Sequence, residues 1–189
     1  MPNLHITALT LETQAGARDL IRRVWREHFG DHPDPLVREY MEDERVMDAV
    51  SPDHYSAQHG LFLVACERPQ GRAAPSPPPA GVEKAGGSPS LFCEAGTVVG
   101  CGGVRLMTDG RHEFQRLYVA ATHRRLGLAA RIMSDCTAFA RQQGGHTLCL
   151  SSNKALTTSH QFYRQLGFEP TAAWDPEIEP YAYFFQRSI

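Results

Sequence analysis

The chain has 189 residues and a formal net charge of −2, so it fits one domain with a substantial core and carries no overall basic field for nucleic acid or a membrane surface. No apolar run approaches the length of a membrane span, and residues 1–5 lack a signal-peptide pattern. We therefore expect a single domain over residues 1–189 that has neither nucleic acid nor a membrane as a partner.

The first part of the chain predicts one strand and two helices. Residues 6–11 alternate between apolar and polar side chains, as a half-buried strand does. Residues 14–29 have the apolar spacing of an amphipathic helix. The Gly- and Pro-containing residues 30–35 break this helix, and residues 36–43 predict a second, shorter one.

An insertion separates two strands that are predicted to form a hairpin. Residues 60–66 make a short apolar strand, and residues 97–106 are its predicted partner. Residues 67–90 contain six prolines and almost no large apolar side chain. Such a segment cannot bury enough surface to offset its ordering entropy, so we expect a flexible, Pro-rich surface insertion. A ligand for an SH3-type domain is the alternative.

A predicted strand at residues 113–119 leads into a turn and a helix suited to holding phosphate. The first turn of a helix leaves backbone N–H groups without intrahelical partners at its positive dipole end. Gly127 would let the backbone approach a pyrophosphate closely, and Arg124 and Arg125 would add positive charge. The alternative is an ordinary strand-to-helix connection with two solvated arginines.

The last part of the chain predicts a further strand–helix–strand unit. Residues 146–151 form an apolar run typical of a buried strand, and residues 181–185 predict a closing strand. Between them, residues 156–166 show helical spacing, and Gly167 ends that helix. This order of elements predicts an α+β fold in which a mixed sheet has helices on both faces.

Three motifs between residues 113 and 168 are more specific together than any one of them alone. They are the strand at 113–119, the run Arg124-x-x-Gly127-x-Ala129, and residues 162–168, Phe-Tyr-Arg-Gln-Leu-Gly-Phe. Together they resemble the fourth strand, the Arg/Gln-x-x-Gly-x-Gly/Ala signature and the aromatic-Tyr-x-x-x-Gly-Phe run of the GNAT superfamily of N-acetyltransferases. The resemblance implies the GNAT fold, with its mostly antiparallel central sheet and central βα cofactor-binding unit. It also implies acetyl-CoA as cosubstrate, and as acceptor the amine of a small molecule, an amino acid or a peptide.

The resemblance further implies which residues contact acetyl-CoA. They are Leu117, Tyr118, Val119, Arg124, Arg125, Leu126, Gly127, Leu128, Ala129, Ser159 and Phe162. Two positions depart from the family pattern. The frequent Asn-x-x-Ala run is Leu-Thr-Thr-Ser at residues 156–159, so an Asn contact to CoA is not carried over. Arg125 stands where many members have glycine.

Two residues match catalytic positions of the family. Tyr163 matches its tyrosine acid, and a phenol with a pKa near ~10 is protonated at neutral pH and can give its proton to a departing thiolate. Glu113 lies eleven residues before Arg124, where some members carry a catalytic base. The alternatives are a core role for Tyr163 and a solvated or substrate-positioning role for Glu113. His112 is a weaker candidate base.

The acceptor side is set by the first helices, which flank the acceptor pocket in the GNAT fold. The candidate substrate-side residues are Trp25, His28, Phe29 and Tyr40, with core packing as the alternative for Trp25 and Phe29. An acidic run at residues 42–44 suggests a cationic substrate. GNAT proteins are often dimers, so a homodimer is one expected state. The alternative function is a non-catalytic acyl-CoA-binding module of the same fold.

The five cysteines stand at positions 66, 93, 101, 136 and 149 and form no C-x-x-C pair. Most lie in apolar strand or helix patterns, and an odd number of buried thiols is typical of a reducing compartment. We therefore expect a cytoplasmic protein without a bound metal. Cys101 is the thiol with the best case for reactivity, although a role as a small core residue fits it better.

Overall fold

The structure, a computed structural model, describes residues 4–68 and 96–189. The predicted insertion at residues 67–90 lies outside the described residues, apart from Glu67 and Arg68. The strands are β1 (Leu4–Ala8), β2 (Leu61–Glu67), β3 (Thr97–Leu106), β4 (His112–Val119), β5 (Thr147–Asn153), β6 (Glu169–Pro170) and β7 (Ala182–Ser188). The helices are α1 (Leu11–Phe29), α2 (Pro35–Glu39), α3 (Glu44–Asp48), α4 (Pro52–Ala57), α5 (Leu128–Gln142) and α6 (Thr157–Gln165).

The described strands form one seven-stranded sheet in the order β1-β2-β3-β4-β5-β7-β6. Neighbouring strands are antiparallel except β4 and β5, which are parallel. A parallel pair needs a crossover, and here the crossover contains α5. The predicted α+β fold with a mixed, mostly antiparallel sheet is confirmed.

Helices cover both faces of the sheet, as the two adjacent glycines of β3 show. A Cβ at Gly102 would meet Ile132 of α5, whereas a Cβ at Gly103 would meet Tyr55 of α4. Side chains alternate along a strand, so α5 and α4 lie on opposite faces. We call these the α5 face and the α4 face.

Short elements are where the sequence prediction differed from the structure. The strand predicted at residues 6–11 ends at Ala8, because Thr10 forms a capping box that starts α1 at Leu11. The single helix predicted at residues 36–43 is α2 followed by a 3₁₀ turn at Tyr40–Glu42. Three elements of two to six residues, namely α3, α4 and β6, were missed because they are too short to show a period.

Candidate functional site

The central sheet opens between β4 and β5. These parallel strands pair at two positions, the second of which is Glu113↔Cys149. β4 nevertheless continues to Val119 and β5 to Asn153. The facing edges therefore diverge and leave backbone groups without a strand partner. We call this opening the wedge. Its apex is the Glu113–Cys149 pair, and its mouth lies at the C-terminal end of β4.

A β-bulge bends β4 inside the wedge. The β3–β4 register shifts between Cys101 and Gly103, so that Arg116 and Leu117 oppose the single residue Gly102. Arg116 has a φ of 58°, a conformation that is uncommon for a residue with a Cβ. Bulges of this kind bend a strand and re-aim its side chains, often beside active sites. Here the bulge lies just beyond the apex of the wedge.

Unpaired backbone donors lie where α5 begins, beyond the mouth of the wedge. The first hydrogen bond of α5 runs from the Arg131 N–H to the Gly127 carbonyl, so the N–H groups of residues 128–130 have no intrahelical acceptor. Gly127 has no side chain that could cap them. Together with the positive end of the helix dipole, these donors are suited to an anion.

The space above Gly127 is open, which is what a pyrophosphate requires. Gly127 has a φ of 78°, and a Cβ there would meet no atom within 4 Å. Arg125 has a φ of 62°, in the same left-handed region. This observation accounts for the family preference for glycine at the Arg125 position, because glycine adopts that region without steric cost. The backbone of this turn therefore fits the group that the sequence predicts.

The two arginines of the turn differ in what they contact. The Arg124 guanidinium donates to both carboxylate oxygens of Glu27, at 3.1 and 2.6 Å, and its Nε donates to the Val119 carbonyl. Arg124 therefore ties the turn to α1 and to the end of β4. Arg125 is exposed and has no hydrogen bond or ion pair within the described part of the chain. Only Arg125 therefore has its charge free for a phosphate.

Tyr163 lies on α6 with a buried ring and an unpaired hydroxyl that is not fully enclosed. The residue is 8% exposed and its ring packs against Phe168 and Phe185. Its hydroxyl has no hydrogen-bond partner among the described residues, yet it is not one of the fully enclosed unpaired atoms, as the hydroxyl of Tyr55 is. Burial raises the pKa of Tyr163 to about 12. The arrangement therefore combines a core role for the ring with an unpaired phenol that is not fully enclosed.

Other α6 residues hold the helix beside the wedge. Ser159 and Phe162 are half-buried, and the Phe162 ring lies 5.6 Å from that of Tyr163. His160, which the sequence analysis did not single out, donates from Nε2 to the Asn153 carbonyl at 3.1 Å. This bond joins α6 to the end of β5, so His160 positions the helix. Its spacing from Asn153 gave no signal because the contact depends on how the chain turns after β5.

Glu113 lies on the α4 face and is paired with an arginine. Its Oε2 accepts from Arg105 Nε at 2.9 Å and lies 2.7 Å from Arg105 Nη2, while Arg105 Nη1 donates to the Gln58 side chain. The glutamate is 7% exposed, so it is not a solvated surface residue. Oε1 has no partner among the described residues. Glu113 is at the apex of the wedge.

Two weaker candidates do not lie where chemistry at the wedge needs them. His112 points to the α5 face, where it packs against Gly145, and both ring nitrogens are enclosed without partners. Burial lowers the pKa of His112, but an enclosed ring cannot take a proton from an acceptor. Cys101 is fully buried, and burial raises the pKa of its thiol to about 12. Cys101 is a core residue and not a reactive thiol.

The four candidate substrate-side residues divide into two groups. Trp25 and Phe29 are buried, and Trp25 donates from its indole nitrogen to the Val37 carbonyl, so both serve the core. His28 and Tyr40 are exposed. The ring of Tyr40 lies 5.7 Å from that of Trp25.

The acidic run at residues 42–44 is engaged in ion pairs. Glu42 pairs with Arg26 at 2.7 Å, Asp43 pairs with Arg45 at 2.6 Å, and Glu44 pairs with Arg22 at 2.6 Å. The hydrogen bonds with Arg26 and Arg45 lower the pKa values of Glu42 and Asp43. The run therefore offers little free negative charge, and the suggestion of a cationic substrate loses its support.

Known proteins share this fold. The family model for the acetyltransferase (GNAT) domain matches residues 88–170. An acetyltransferase from Streptococcus agalactiae matches with a TM-score of 0.71 and 14% identity, covering 100% of both chains. The PaiA N-acetyltransferase of Thermoplasma acidophilum, solved in complex with coenzyme A, matches with a TM-score of 0.68 and 14% identity, covering 99% of both chains. No curated protein matches the chain in sequence.

The family model identifies residues 88–170 as a GNAT acetyltransferase domain. The full-length structural neighbours share the fold of the whole chain. Identities of 14% show a shared fold and leave the acceptor open. Within the described residues, the structure contains no helix long and apolar enough to cross a membrane.

Proposed function

We propose that the chain transfers an acetyl group from acetyl-CoA to an amine. The observation that carries this proposal is the combination of the wedge, the unpaired N–H groups at the start of α5 and the unpaired Tyr163 hydroxyl. The relative from Thermoplasma acidophilum, with the same fold, is in complex with coenzyme A. Residues 128–130 and Arg125 would hold the pyrophosphate, and the unpaired edges of β4 and β5 would hold the arm that carries the thioester.

The reaction first requires that the acceptor amine be neutral. An α-amine with a pKa near ~7.8 costs about 1 kcal/mol to neutralise at pH 7, whereas a lysine amine near ~10.4 costs about 4.6 kcal/mol. Glu113 would receive the amine's proton from the α4 face. It lies three residues before the bulge on β4, about 10 Å along the strand, so the proton would travel through water. Holding Arg105 in place is the alternative role.

A proton for the departing thiolate is the second requirement, and Tyr163 would supply it. Transfer from a phenol of pKa about 12 to a thiolate whose conjugate acid has a pKa near 8.5 is uphill by about 5 kcal/mol if the sulfur is solvated. Burial of the sulfur beside Tyr163 would raise the pKa of the thiol as well, which reduces the difference between the thiol and phenol pKa values. Tyr163 can therefore act as the acid only if the departing thiolate is buried beside it.

The second candidate function is a non-catalytic acyl-CoA-binding module. The two are separated by calorimetric titration of CoA and by thiol release from acetyl-CoA with a panel of amines. The enzyme should bind CoA and release thiol faster with at least one amine than with none. CoA binding without amine-dependent thiol release would support the non-catalytic binding module. Failure to bind CoA would exclude both functions.

A further inference from the structure

The guanidinium of Arg116 lies at the bulge of β4 without an acidic partner. Its Nη2 donates to the Val46 carbonyl at 3.0 Å, and its Nε is enclosed with no partner at all. Among the described residues, no carboxylate lies within 4 Å of it. Its neighbour Arg105, by contrast, is neutralised by Glu113. A half-buried charge that has only one carbonyl acceptor is poorly compensated.

The titratable groups around Arg116 are neutral at pH 7 and do not offset its charge. Burial lowers the pKa of His54, and the nearby Arg116 and Arg105 lower it further. Burial raises the pKa values of Tyr118 and Cys101, which also lie near Arg116. The α4 face beside the bulge therefore carries a net positive charge.

Part of the Arg116 guanidinium remains open to an incoming group. Nη1 has no hydrogen-bond partner among the described residues, yet it is not among the enclosed unpaired atoms. The left-handed φ of 58° at this position costs about 1–2 kcal/mol for a residue with a Cβ. The backbone of β4 thus holds an arginine at the bulge, inside the wedge, at an energetic cost.

We propose that Arg116 binds a carboxylate of the acceptor, so that the acceptor is an amino acid. This inference rests on the proposed acetyl transfer and names the substrate class of the same site. A carboxylate would supply the missing counter-charge through charge-assisted hydrogen bonds to Nη1. The nearby acidic side chains at residues 42–44 and Glu113 already have arginine partners, so a polyamine would meet Arg116 with no free acid to balance it.

The test compares free amino acids with their carboxamides, which keep the amine and lose the negative charge. The wild type should show a kcat/KM about 10- to 100-fold higher for at least one free amino acid than for its amide. Arg116→Gln should reduce this ratio to near 1 by lowering kcat/KM for the acid alone. Arg116→Lys, which keeps the charge, should retain part of the ratio. Arg111→Gln is the control, because Arg111 lies at the β3–β4 turn and pairs with Asp109.

Two results would overturn the proposal. The first is a wild type that never prefers an acid to its amide. The second is an equal loss on acid and amide in Arg116→Gln, which would mean that Arg116 only ties the bulge to Val46.

A chain that binds CoA but acetylates no amine would contradict the proposed function and would still test Arg116. In that case the CoA-loaded protein is titrated calorimetrically with the same acids and amides. Binding of an acid, lost in Arg116→Gln, would support the carboxylate site. Absence of acid binding in the wild type would overturn it.

Discussion

Tyr163 shows how one side chain can serve both the core and the chemistry. Its ring packs among aromatic residues, and its hydroxyl is unpaired and not fully enclosed. Burial keeps the phenol protonated, since its pKa is raised to about 12. The same burial makes the proton harder to give up, so its use as an acid depends on where the thiolate leaves.

We expect Tyr163→Phe to lower kcat by about 10² to 10⁴ with little change in acetyl-CoA affinity, because the ring is kept and only the proton is lost. Single-turnover kinetics and calorimetry measure the two quantities. Tyr183→Phe is the matched control, since Tyr183 is an exposed phenol on β7 and should lose no activity. Full turnover in Tyr163→Phe would mean that water supplies the proton.

Glu113→Gln should separate a base from a positioning group by its pH dependence. If Glu113 is the base, the loss is large at pH 7 and recovers by about pH 9 for an α-amine, because the free amine is then abundant. Tyr163 stays protonated over this range, since its pKa of about 12 lies above it. A pH–rate profile of both proteins is the measurement, with Asp109→Asn as a control. A loss independent of pH would make Glu113 the residue that holds Arg105.

His112→Leu should stabilise the fold and leave activity unchanged. The buried ring has two unpaired nitrogens, and replacing such a group with an apolar one removes a cost of about 1–3 kcal/mol. Because burial lowers the folded-state pKa of His112, the unfolded state gains a proton below its pKa of about 6.5 that the folded state does not, so the wild type loses stability as pH falls. Urea unfolding at pH 7.5 and 5.5 should therefore show a larger gain at the lower pH. A drop in activity matching that of Glu113→Gln would restore His112 as the base.

At the scale of elements, the sequence predicted the parts whose signals are local. An apolar strand, a basic turn with Gly127 and a long helix predict the β4–α5 unit, and the structure confirms these elements. The wedge could not be predicted from the sequence, because it depends on where β4 and β5 stop pairing. The pairing of Arg124 with Glu27 could not be predicted either, since the two residues meet only when α1 packs beside the turn.

Gly127→Asp should abolish CoA binding while the fold persists. A Cβ at Gly127 meets no atom within 4 Å, so the change is tolerated sterically, although the left-handed φ adds some strain. The new carboxylate would lie where a pyrophosphate must approach, opposing a favourable helix-end effect of up to ~2 kcal/mol. Calorimetric titration with CoA is the measurement. Gly110→Asp, at another open glycine with positive φ in the β3–β4 turn, controls for the backbone strain. Unchanged CoA affinity in Gly127→Asp would place the phosphate elsewhere.

At the scale of the whole molecule, β2 and β3 pair on either side of the Pro-rich insertion. Their ladder includes the pair Glu67↔Thr97, so the chain leaves β2 and enters β3 at neighbouring positions of the sheet. The composition of residues 67–90 predicts that the insertion adds little to the core. The pairing of β2 with β3 confirms the hairpin that the sequence predicts.

Replacing residues 68–89 with a short turn should leave the protein folded and active. This segment contains little that could pack on the core, and loop-closure entropy changes by only about 0.6 kcal/mol per doubling of length. We expect the free energy of unfolding to change by no more than about 2 kcal/mol, as measured by urea denaturation. A larger drop would show that the segment packs on the body. An isolated loss of activity would show that it helps form the acceptor site.

Transfer of label from acetyl-CoA to an amine tests the central claim most directly. The wild type and Gly127→Asp are each incubated with isotopically labelled acetyl-CoA and a panel of amino acids, amino-acid amides and simple amines. Products are then identified by mass spectrometry. We expect an N-acetylated product with the wild type and none above background with Gly127→Asp. If the wild type transfers label to no amine although it binds CoA, the chain is not an N-acetyltransferase for these acceptors and the account of the site as catalytic is contradicted.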